Sequence, residues 1–162
     1  MKNVLLCLIG IFLVGIENSI VNYIDIFGVT FNLVLIYMTA IALYTDELDV
    51  SIIGAIVGLI KDMAIGGIFG VNALILFSIS YGISHLRYKI YKESRITIFA
   101  LVLITSLFDS MVNIASVSLV YNSYGITNLV LKGVLIIPLV NSIISVILYS
   151  ITKNSILKLK ED

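Results

Sequence analysis

The charged residues of this chain are so unevenly placed that they leave uncharged, mainly apolar runs long enough to cross a bilayer. No Asp, Glu, Lys or Arg occurs between Asp25 and Asp46, between Asp62 and Arg87, or between Lys132 and Lys153. A transmembrane helix needs about 20 predominantly apolar residues, and a helix in lipid bonds all of its own backbone groups. This spacing therefore restricts the fold more than any motif does. Of the 162 residues, 60% are hydrophobic and 12% charged, against roughly half and a quarter in soluble domains. The class expected is an all-α integral membrane protein, with residues 1–162 forming a single six-helix transmembrane domain.

The spans fall at about 4–23, 27–45, 50–66, 70–88, 96–120 and 129–151, with short connections between them. Six crossings put both termini on one side together with Lys2, Arg87, Lys89, Lys92, Arg95, Lys153, Lys158 and Lys160, and leave no Lys or Arg in the opposite loops. Positive residues are retained on the cytoplasmic side, so the expected topology is N-in and C-in. The third span is short and carries Lys61 and Asp62 near its outer end; a re-entrant hairpin there would leave four full crossings. The start, MKNVLLCLIGIFLVG, has signal-peptide character but no small-x-small cleavage site closes it, so it reads as a retained helix. The lone Cys7 rules out an internal disulfide. The basic loop with Arg87, Lys89, Lys92 and Arg95 sets topology and touches anionic headgroups; a docking role for a cytoplasmic partner is the alternative.

The most specific stretch is Ser51 to Tyr81. Gly54, Gly58, Asp62 and Gly66 recur every four residues, a spacing that puts them on one helix face as a small-residue stripe with one carboxylate. Such a stripe suits close helix packing, within the chain or against a partner. Gly66, Gly67 and Gly70 then allow a tight turn, and Asn72 is placed to cap the following helix.

Ionisable side chains also fall inside the spans: Glu17, Lys61, Asp62 and Lys132 in the outer half, and Asp109 near mid-span. Each costs about 2.5–3.5 kcal/mol at a helix centre, so such groups face other helices or a cavity. The pairings on offer are Asp62 with Lys132 and Glu17 with Lys61. Two readings stay open: ties that hold the bundle, or an outward polar pocket or docking site. Asp109, Asn113 and Ser116 share one face with Ser106 alongside, and Asn141 and Ser145 share another after a kink expected at Pro138. These suit interhelical hydrogen bonding. A proton path from Asp109 would need a continuous relay, so an ion-coupled carrier is the weakest reading. There is no phosphate loop, paired-histidine motif or nucleophile elbow, and His85 has no His or Cys nearby. No enzyme, cofactor or metal site is expected.

The hairpin GAIVGLIKDMAIGGIFGVNALILFSISYG resembles the MreD family of rod shape-determining proteins in its Gly-rich helix, Asp, Gly turn, Gly-x-Asn-Ala and Tyr, here Gly54, Gly58, Asp62, Gly66, Gly67, Gly70, Asn72, Ala73 and Tyr81. Glu17-Asn18-Ser19 followed by IDIFGV, and Pro138 with Asn141, are similar to further family positions. Phe31-Asn32 stands where the family often has Pro-Asp, and Glu17 where it usually has an uncharged amide. The resemblance implies a non-enzymatic scaffold of the bacterial cell-elongation complex in the cytoplasmic membrane. It would bind MreC and help couple MreB filaments to peptidoglycan synthesis by RodA and its penicillin-binding transpeptidase partner. It also implies a fold similar to the substrate-binding subunits of energy-coupling-factor vitamin transporters, which supplies the rival function. Such subunits usually carry Ala-x-x-x-Ala in the first helix, which LLCLIGIFLVGIENS lacks.

Overall fold

The computed structural model describes residues 2–21, 30–66, 68–90, 94–120 and 132–158, with side chains except at 120, 132 and 151–158. These form α1 Lys2–Ser19, α2 Leu33–Ala42, α3 Glu47–Ile65, α4 Val71–Leu86, α5 Arg95–Val120 and α6 Ile137–Lys158, the last preceded by a π-helical turn at Lys132–Ile136. Among the described residues there is no strand. The helical stretches Lys2–Ser19, Arg95–Leu119 and Gly133–Ser150 are long and apolar enough to cross a membrane. Ile96, Ile104, Phe108, Met111 and Leu119 point outward from α5 and are exposed. A helix apolar on its outer as well as its inner face suits lipid.

The shortest helix is the most central. α2 touches α1, α3, α4, α5 and α6, and Val34, Leu35, Met38 and Ala42 have no exposed surface. A span at 27–45 is expected from hydropathy, but the helix occupies only Leu33–Ala42, about 15 Å at 1.5 Å per residue. Residues 22–29 lie outside those described. The late start has a local cause: Asn32 Oδ1 accepts from Leu35 N and caps the helix. It ends as Leu43 and Tyr44 N–H groups turn back to Ala40 and Ile41 carbonyls, three residues away, which tightens the last turn.

The other boundaries shift less. α3 begins at Glu47, ahead of the expected residue 50, with Glu47 and Asp49 in its first turn, where acidic groups favour the helix dipole. α6 continues through Lys158. Pro138 has no N–H for a carbonyl one turn back, and the widened π turn lies just before it. The winding thus changes from π to α beside Pro138.

Helices α3 and α4 form the most closely packed pair. A Cβ added at Gly58 would lie 2.4 Å from Ala73 Cα, and one at Gly54 would lie 2.8 Å from the Leu76 carbonyl oxygen. The two backbones touch directly, as small residues allow. Because those neighbours are main-chain atoms, Gly58→Ala is expected to destabilise the protein by about 1–3 kcal/mol. Gly82→Ala, with open space around it, is expected to be neutral or stabilising by up to about 1 kcal/mol. Thermal unfolding of the purified variants in detergent checks both.

Candidate functional site

Two polar systems meet at the last turn of α3. Lys61 is 4% and Asp62 2% exposed, and as neighbours on a helix they point about 100° apart. Each therefore reaches a different set of partners.

Asp62 joins α3 to α4. Its carbonyl accepts from Gly66 N at 3.1 Å, where φ of +72° ends α3 in a conformation that glycine adopts without strain. Its side chain crosses the turn. Oδ2 accepts from Gly70 N at 2.9 Å and Ala73 N at 3.3 Å. Oδ1 accepts from Asn72 N at 3.1 Å and Asn72 Nδ2 at 2.8 Å. The carboxylate thus sits on the N-terminus of α4, where orphan N–H groups and the helix dipole both favour an anion. Asn72 is not the cap its position suggests. The N-cap residue is Gly70, at φ +93°, and Asp62 supplies the capping oxygens from the previous helix while Asn72 donates to them. Gly67 lies outside the described residues.

Lys61 reaches the second system. Its ammonium lies 2.8 Å from Glu17 Oε1 on α1, with both side chains at most 10% exposed, and donates to Asn32 Oδ1 at 2.8 Å. Glu17 Oε2 accepts from Val34 N at 2.8 Å, so α1 caps the start of α2 with a carboxylate that Lys61 of α3 holds in place. The other suggested pair, Asp62 with Lys132, depends on a Lys132 side chain outside those described.

Asn32 is the hub. Beyond Lys61 and Leu35, its backbone N donates to Asn141 Oδ1 at 2.8 Å and its Nδ2 to Asp109 Oδ2 at 3.4 Å. Asn113 Nδ2 donates to Asp109 Oδ1 at 3.1 Å, and Asn141 Nδ2 to Ser106 Oγ at 2.9 Å. One network therefore joins α1, α2, α3, α5 and α6 around Glu17, Lys61, Asp109, Asn113 and Asn141. Asn32 is absent from the residues that intramembrane charge singles out. Its signal is an Asn directly before the apolar run LVLIYM, an N-cap signature hidden when the span is started at residue 27.

The basic loop is partly engaged. Arg87 bonds Asp46 at 2.5 Å and the Tyr88 hydroxyl at 2.6 Å, and His85 Nδ1 lies 3.3 Å from Glu47 Oε1. These contacts tie the end of α4 to the start of α3. Lys89 and Arg95 are exposed, and Lys92 lies outside the described residues. Among the described residues no three His, Cys, Asp or Glu side chains group as metal ligands.

A family model described as rod shape-determining protein MreD matches residues 1–154. Neither a curated protein nor a solved structure matches the chain.

Lys61→Met would strand the Glu17 carboxylate in the interior and is expected to cost about 3–5 kcal/mol, the usual penalty for breaking a buried pair. Adding Glu17→Gln, which keeps an acceptor for Val34 N, is expected to restore a large part of it; a double-mutant cycle on unfolding measures the coupling. Asp62→Asn turns an amide NH₂ toward N–H donors of the turn, with an expected loss of about 2–3 kcal/mol, read in the same assay.

Proposed function

The chain belongs to the MreD family of rod shape-determining proteins, and on that premise we propose that it is a non-enzymatic scaffold of the bacterial cell-elongation complex. It binds MreC in the cytoplasmic membrane and through it helps couple MreB filaments to peptidoglycan synthesis by RodA and its penicillin-binding transpeptidase partner. The observation that carries this reading is the extent of the family match, which runs over residues 1–154 and so takes in α1 to α5 and most of α6.

The interior supports a structural role. Asp62 is fully engaged by the turn it caps, and Lys61 by Glu17 and Asn32. Gly54 and Gly58 meet α4 of the same chain, which leaves the outward apolar faces for contact with MreC. In this reading the six helices form one transmembrane domain, with α1, α5 and α6 long enough to cross the bilayer, in a fold similar to the substrate-binding subunits of energy-coupling-factor transporters. Arg87, Lys89 and Arg95 mark the cytoplasmic side, with both termini inside.

Depletion of the protein from its native cells tests the proposal. Rods are expected to round up, wild-type protein to restore them and to co-purify MreC, and Gly58→Leu to do neither. Unchanged shape together with a vitamin requirement would overturn it in favour of transport.

A further inference from the structure

Between α1 and α6, with α2 as its floor, runs a groove of about 490 Å³. Leu5, Ile9 and Leu13 form one wall, Leu148 the other, and Ile36 and Ala40 lie along the floor. From Leu5 to Leu13 the wall follows α1 for about 12 Å, so the groove is elongated along the helices. Tyr37 and Ser145 also line it, but their hydroxyls are engaged elsewhere. Tyr37 donates to the Leu6 carbonyl at 2.8 Å and Ser145 to the Ser142 carbonyl at 2.7 Å. What these two leave facing the groove is carbon. A polar ligand placed there would lose its hydration without compensating bonds, whereas a hydrocarbon chain loses none.

One end of the groove is basic. Arg95 stands one turn before Ile98, another lining residue, on α5. Residues three or four apart share a helix face, so Arg95 belongs to this mouth, where it is exposed. An apolar slot along the helices with a cationic mouth has the chemistry of one lipid class. We propose that the groove holds an acyl chain of an anionic phospholipid, with its phosphate at Arg95. This requires that α1 and α6 lie in a bilayer and is independent of any role in cell elongation.

The full-length chain, reconstituted in bilayers of equal phosphatidylglycerol and phosphatidylethanolamine and extracted into mild detergent, tests this by native mass spectrometry. One retained phospholipid per chain is expected, with phosphatidylglycerol preferred. Arg95→Gln is expected to lower that preference about fivefold, the share of one interfacial cation. Ala40→Phe, filling the floor, is expected to remove the adduct; should it fail to fold, Ile9→Trp fills the same groove from its exposed wall. Equal retention of both lipids, or an adduct that persists in either filled variant, overturns the proposal. So does a photoreactive residue at Leu5 that crosslinks to a second polypeptide instead of lipid, because the groove would then seat a partner helix.

Discussion

A carboxylate at the end of one helix, set against the start of the next, holds the closest-packed part of this protein in register. Asp62 accepts from main-chain groups at 70, 72 and 73 and from the Asn72 side chain, while its own carbonyl closes α3 through Gly66. Two helix ends that would otherwise expose unpaired groups in an apolar interior are satisfied by one residue. The direct contact of Gly58 with Ala73 follows from that junction. A turn fixed at Asp62 sets how closely α4 returns along α3, and only a residue without a Cβ fits at the contact.

The residue before it anchors the rest of the bundle. Lys61 brings Glu17 and Asn32 together at the buried start of α2, and Asn32 carries the connection on to Asp109 and Asn141. A helix that begins inside a bundle needs acceptors for its first N–H groups, and here a carboxylate and an amide supply them. The short length of α2 and the buried charges are thus one arrangement: the charges cap the helix, and the helix lets them be buried.

Much of the architecture is legible in single residues. The unbroken runs ending at Arg87 and beginning at Arg95 mark α4 and α5, and Gly66 and Gly70 mark the turn that takes positive φ. The four-residue spacing of Gly54 and Gly58 announces a contact face, although not which helix it meets. Asn32 and the cap on α4 are harder to read. Asn32 looks like one polar residue in an apolar stretch, because its importance lies in neighbours from residues 61, 109 and 141. Asn72 has the position of a cap, but Asp62, ten residues earlier, has two oxygens at the right distance.

The sequence by itself determined the helical class, the number of helices, the site of the tight turn and the need for Glu17, Lys61, Asp62 and Asp109 to find partners. Those follow from local rules: hydropathy over a helix length, the conformational freedom of glycine, and the cost of charge in an apolar medium. Only the tertiary structure decided who the partners are, where α2 begins, and that α1, α2 and α6 leave an apolar groove. Those depend on which helices lie side by side, and a hydrogen bond reaching only about 3 Å between residues far apart in the chain is settled by packing.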